Sequence, residues 1–182
     1  MTSNGKIYKG ADEITSTSFS YSYPKDELIY IQKLDDSYVQ FSSNALDGCL
    51  NMISVDIPAG ISSLETASFR NCKKLTHIDI LSGMKNIGQY AFRFCNKLSS
   101  ISFEQNSNLQ SVQSTAFGGT ALKYVSLPNS ITSFGATTFH QCKEMISANV
   151  PSAWIIPTRE TTNFGSKNLF FECSAFKYLD AS

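Results

Sequence analysis

Residues 86–98, "NIGQYAFRFCNKL", decide the fold. They set an apolar residue, a glycine, an Ala-Phe pair and a cysteine in a fixed order. Met once, such a string would suggest a reactive thiol in a local chemical setting. It recurs instead. Positions equivalent to Phe92 are Leu46, Phe69, Phe117 and Phe139, and the series 46, 69, 92, 117, 139 steps by 23, 23, 25 and 22. Three residues after each comes Cys49, Cys72, Cys95, Thr120 or Cys142, so four of the five cysteines share one register. A period of this length marks a stacked repeat architecture.

The remainder of the unit follows from its neighbours. "MISVDI" from Met52, "LTHIDI" from Leu75, "LSSISF" from Leu98 and "LKYVSL" from Leu122 read apolar, two polar, apolar, polar, apolar. A proline turn and two further apolar residues come next, as in "DIPAGISSL" and "SLPNSITSF". The third unit departs from this: "FEQNSNLQSV" inserts two residues at the turn, and "FGGTA" removes one afterwards. Turns absorb such changes without moving the apolar columns. "IYIQKLDDSYVQFSSNALDGC" fits the frame loosely from Ile29, with Gln32 at an apolar place and Asp35 at the proline place. "MISANVPSAW" opens a unit at Met145, whose second half, "FGSKNLFFEC", arrives late from Phe164. "AFKYLD" at 175–180 then matches "ALKYVS" at 121–126. The expected division is an N-terminal cap over 1–27 and a solenoid over 28–182, with an insertion near 156–163. A cap is needed because a solenoid end exposes apolar rungs.

A unit of about 23 residues is too short to enclose its own apolar side, so stacked units must share one core. The opening segment alternates with period two and is rich in Ile and Val, so it reads as a strand. Stacked in register, these strands form a parallel sheet along one face. Pro58, Pro128 and Pro151 end their strands, since proline cannot donate to a ladder. Gly88 and Gly135 are expected to supply a bend or a positive φ. The Ala-Phe-x-x-Cys segment reads as one short helical or 3₁₀ turn, with the Phe filling the width of the coil.

The segments 75–98, 98–121 and 122–145 resemble the BspA-like, or treponemal, type of leucine-rich repeat, over about residues 29–180. The resemblance implies a leucine-rich-repeat solenoid of about five to six coils. It would carry a parallel β-sheet on one face, with short helical or 3₁₀ turns and irregular coil elsewhere. It further implies a right-handed coil and binding through the strand face rather than catalysis. Many members are surface proteins that meet host proteins or other cells, which makes a cell-surface adhesin the second functional reading.

Composition narrows the functional classes. The 182-residue chain has a formal net charge of zero and only 16% charged residues. That balance gives no electrostatic reason to expect nucleic acid or an anionic membrane. No apolar stretch approaches the roughly 18–20 residues of a membrane span. The N-terminus lacks the apolar run of a secretory signal. A cytoplasmic location is the default from these residues, and a cell-surface one comes from the resemblance. Cysteines spaced by about 23 exclude a compact zinc motif. The column reads as small buried thiols between rungs rather than a redox or metal ladder. Cys173 falls one residue late and is expected to be the most exposed and reactive. His140 sits two residues before Cys142, in a place otherwise held by Asp47, Arg70, Arg93 and Gly118, so it is expected in solvent and apart from the thiol. Arg93 is expected there too. "FGGT" lacks the Lys-Ser/Thr of a phosphate loop, and its glycines read as a tightened turn.

No catalytic residue, metal site or cofactor is expected. Candidate contacts lie on the outward strand positions. One column runs Ser54, His77, Ser100, Tyr124, Ser147 and Tyr178; the next runs Asp56, Asp79, Ser102, Ser126, Asn149 and Asp180. Asp56, His77, Asp79, Tyr124 and Ser126 are the expected binding residues, with a protein as partner. Aromatic anchors dominate interface energetics, which singles out Tyr124. End-to-end self-association through the C-terminal coil is a further expectation, because a stacked end offers an unpaired strand edge.

Overall fold

The side chains of Phe69, Phe92, Phe117, Phe139 and Phe170 form one pile, with successive ring centroids 5.3–5.5 Å apart and planes within 10°. Around this pile the chain winds as a β-solenoid. The computed structural model describes residues 5–9, 12–14, 29–33, 41, 43–57, 59–151 and 168–181, the first three segments and the last four residues by backbone alone. Four complete coils occupy 52–72, 75–95, 98–120 and 122–142. A partial coil ending in a turn at 43–49 precedes them. A fifth coil opens at Met145 and closes in a turn at 168–173.

Two ladders of parallel strands run along the solenoid. The narrow one pairs β4 (Ser63–Leu64), β6 (Asn86–Ile87), β8 (Ser111–Val112) and β10 (Ser133–Phe134) in unbroken register, and Phe41 extends it by a bridge to Leu64. The wide one is split. β5 (His77–Ile80) pairs with β7 (Ser100–Phe103). β9 (Tyr124–Ser126), β11 (Ser147–Val150) and β12 (Tyr178–Ala181) form a second, three-stranded sheet. The expected single sheet is therefore interrupted between β7 and β9. The break coincides with a short corner. Thr120 reaches Leu122 in two residues, whereas each equivalent corner, such as Cys95 to Leu98 or Cys142 to Met145, takes three. At this seam Ile101 and Phe103 are only partly buried, while Ile78 and Ile80 on β5 are fully buried.

The third side of each coil is a chain of turns rather than a helix; no described residue is helical. Alternate amides do different work. The N–H groups of Ala67, Phe69 and Asn71 donate to the carbonyls of Gln89, Ala91 and Arg93 in the next coil. Those of Ser68, Arg70 and Cys72 donate within their own turn, to Glu65, Ala67 and Phe69. A left-handed residue stands two before and two after each column residue, as with Ala67 and Asn71, Tyr90 and Phe94, or Thr115 and Gly119. Each interrupts the right-handed run, which is why the expected helical turn does not form.

Gly88 and Gly135 serve another purpose than the one expected. Neither has a positive φ. A Cβ on Gly88 would lie 2.6 Å from the Leu64 carbonyl oxygen, and one on Gly135 would lie 2.0 Å from the Ser114 nitrogen. They permit close approach of adjacent coils. The turn prolines behave as expected where described: Pro128 opens a turn closed by the Ile131 amide, and Pro151 follows β11 directly. Pro58 and the insertion near 156–163 lie outside the described residues. Ile29–Lys33, expected to open the repeat frame, forms β3 of an antiparallel sheet with β1 (Gly5–Lys9) and β2 (Asp12–Ile14) in the order β2-β1-β3.

Candidate functional site

The wide strands carry the predicted columns. His77 pairs with Ser100 and Asp79 with Ser102 across β5 and β7. Tyr124, Ser147 and Tyr178 align across the second sheet, as do Ser126, Asn149 and Asp180. The alternation that puts Ile78, Ile80 and Val125 in the core places their neighbours outside. Ser54 and Asp56 are exposed but precede the first wide strand. The five candidate residues therefore divide across the seam. His77 and Asp79 lie on one sheet, Tyr124 and Ser126 on the other, and Asp56 stands one coil further out.

His77 organises the first group. Its Nε2 lies 2.8 Å from Asp79 Oδ1 and its Nδ1 lies 2.7 Å from Ser100 Oγ. An ionised carboxylate only accepts, so Nε2–H donates to Asp79, while Nδ1 shares the second bond with the Ser100 hydroxyl. Ser102 Oγ donates to the same Asp79 oxygen. The Ser102 hydrogen bond, and then the His77 contact, hold the Asp79 carboxyl below the usual carboxylate range. The order Ser100, His77, Asp79 is that of a nucleophilic triad. Here Ser100 stands exposed on the open strand face, and the bonds from His77 and Ser102 fix the Asp79 carboxylate against it. In the second group Tyr124 is 62% exposed.

The cysteine column is structural. Cys72, Cys95, Cys142 and Cys173 each donate a thiol hydrogen to the column-residue carbonyl of the preceding coil, at Leu46, Phe69, Phe117 and Phe139, over 3.0–3.3 Å. Thr120 fills the same slot and donates to Phe117 of its own coil. The hydrogen bond to Cys49 pulls the Cys72 thiol down, but the Cys95 contact and burial outweigh it and leave it raised. Cys173 is half-buried, and contact with Cys142, followed by burial, pushes its thiol far above the usual range. Its register is intact after all: Phe170, not Phe171, joins the ring pile, and Cys173 follows it by three. Among the described residues no group of three His, Cys, Asp or Glu side chains is placed to hold a metal ion.

The turn side holds polar contacts that the sequence did not disclose. Asp47 receives a two-point ion pair from Arg70, with Nη2–Oδ2 at 2.5 Å and Nε–Oδ1 at 3.1 Å. Arg93, expected in solvent, lies over the rings of Tyr90 and Phe94, 5.0 and 4.5 Å from their centroids. His140 stacks on Phe171 at 5.5 Å and lies 3.5 Å from Glu172, turned away from Cys142.

Coils of this length, with a strand-lined side and a column of aromatic residues at the turn, define a leucine-rich-repeat solenoid. The chain belongs to the BspA-type leucine-rich repeat family, whose repeat profile matches residues 12–146 as six copies. Solved structures share the fold. A leucine-rich repeat protein of Treponema pallidum superposes with a TM-score of 0.70 at 24% identity, over 87% of this chain and 76% of that one. One from Bacteroides ovatus gives 0.62 at 24% identity, over 76% and 34%. A leucine-rich cell surface protein of Faecalibacterium prausnitzii gives 0.54 at 21%, over 58% and 27%. The chain thus spans about a quarter to a third of the last two. No curated protein matches the sequence. Among the described residues no helix is long and apolar enough to cross a membrane.

Proposed function

We propose that the chain is a non-enzymatic protein-interaction module that presents its wide-strand face to a macromolecular partner. The observation that carries this is Tyr124, an aromatic residue left exposed on a rigid sheet whose neighbours are short and polar. Desolvating such a ring against a partner's apolar pocket is the usual origin of an interface hot spot. The fixed His77–Asp79–Ser102 network supplies a preordered polar rim, with Asp56 and Ser126 beside the two groups. The reading includes an N-terminal cap over 1–27 and a solenoid over 28–182.

A Tyr124→Ala, His77→Ala double variant should capture at least about tenfold less of a partner purified on the wild-type chain. Undiminished capture would move the site off this face. A cell-surface adhesin is the second reading, favoured by the likeness to the leucine-rich cell surface protein of F. prausnitzii. Protease shaving of intact cells separates the two, since only a displayed chain is cut. End-to-end association through β12 belongs to the same proposal. Light scattering that stays monomeric to millimolar concentration would rule it out.

A further inference from the structure

We propose that the corner leading into the wide strands is a second binding surface, for a linear anionic polysaccharide. The zero net charge of the chain conceals a sorting of its charges. Seven lysines have described side chains. Six of them, Lys73, Lys74, Lys97, Lys123, Lys143 and Lys177, lie within two residues of the apolar residue that closes each corner. All six are exposed. Lys85 alone lies elsewhere. Of the acids with described side chains, only Glu144 shares the corner, 3.8 Å from Lys123. The other five corner lysines have no ion-pair partner among the described residues.

Coil stacking turns this sorting into a line. Successive corners, from 72–75 to 173–176, rise by about 4.8 Å each, so the lysines are spread along one edge of the solenoid over roughly 20 Å. A notch interrupts it where the corner at 120–122 is one residue short. Its volume is about 270 Å³, and its lining includes Phe94, Asn96, Thr120, Gln141, Lys143 and Glu144. That equals roughly nine waters, room for a ring-sized group.

The two features together select the ligand. Duplex DNA carries one charge per about 1.7 Å, denser than one or two lysines per coil step. Single-stranded nucleic acid is held by rows of aromatic platforms, and the notch offers Phe94 alone. An extended acidic peptide repeats its charges on one side every 6.6 Å or so, out of step with the coils. A chain of sugars with an acidic group on each unit or alternate units meets the lysines along its length. A sugar ring, with hydroxyls that both donate and accept, matches the amides of Asn96 and Gln141. This surface does not depend on the strand-face reading.

The test measures binding of the intact chain to heparin and to polygalacturonate across a salt series; these two arms separate sulfated from carboxylated sources. The expected result is retention on at least one of them at low salt, falling linearly with the logarithm of salt concentration. Lys73→Gln, Lys74→Gln, Lys97→Gln and Lys143→Gln together should weaken it about tenfold or more. Lys85→Gln should leave it unchanged. Glu144→Gln should tighten it, a gain that unfolding cannot imitate. Lack of retention on either polysaccharide, tighter binding to oligo(dT) or polyglutamate, or an equal loss with Lys85→Gln would overturn the proposal.

Discussion

Gly135 shows how closely single residues are fitted. Its Cα faces the Ser114 and Gln113 backbone of the preceding coil, with no space for a methyl group. Gly135→Ala should cost about 1–3 kcal/mol, since backbone cannot yield as a side-chain tip can. Phe92→Ala should cost about 3–5 kcal/mol in chemical denaturation, because rings stacked above and below hold the void open. The residue scale also carries a titration. Asp79 has a lowered pKa, so its contribution is present at neutral pH and is lost only as pH falls through that lowered value. Ser102→Ala should move the Asp79 carboxyl back up toward the ordinary range in an NMR titration. An unmoved value would deny Ser102 its part. Much of this scale was legible in the sequence, because burial imposes recurring residue types on the Phe and Cys columns. The reason for Gly88 and Gly135 was not, since a sequence does not distinguish a needed φ from a needed absence of Cβ. The left-handed pairs were hidden as well. Asn, Ala, Tyr, Phe, Thr, Gln and Glu all occupy them, since the turn dictates the backbone there and leaves the side chain free.

At the scale of elements, strand and turn behave differently when the repeat length changes. The two-residue insertion after β7 leaves the narrow ladder intact, with Ile87 paired to Val112. The one-residue loss at 120–122 parts β7 from β9. The distinction is mechanical: a turn can bulge outward, whereas a shortened corner has no slack. Inserting one Asn between Thr120 and Ala121 should restore pairing. Hydrogen exchange at 100–103 and 124–126 should slow, and polysaccharide retention should fall as the notch fills. The missing residue was visible in the sequence as "FGGTA", but its consequence needed the neighbouring corners in place. The Phe170–Phe171 choice was equally undecidable, since two adjacent phenylalanines fit one column; the structure gives the inner place to Phe170 and leaves Phe171 49% exposed.

Considered whole, the molecule is bonded coil to coil along the narrow ladder and the turn amides, and on the wide side within each of two separate sheets. The cysteines should be silent under native conditions. Thiol labelling followed by mass spectrometry should leave the four buried ones unmodified and reach Cys173 only slowly, since it is half-exposed but held protonated beside Cys142. Rapid labelling of several thiols would show that the coils open readily. The solenoid class was legible from periodicity alone. The sorting of charge was not, because net charge sums over the very columns that separate it.

The interrupted seam between β7 and β9 bears on how the protein would carry a load. Hydrogen bonds between coils point along the solenoid axis, so tension on the two ends pulls on them lengthwise and opens them in succession rather than shearing them together. The joint between the third and fourth coils lacks its wide-strand row, and so does the joint between the first and second, where 52–57 form no strand beside β5. A chain tethered at one end and pulled at the other should part first at one of these two joints, leaving the coils of each paired sheet together.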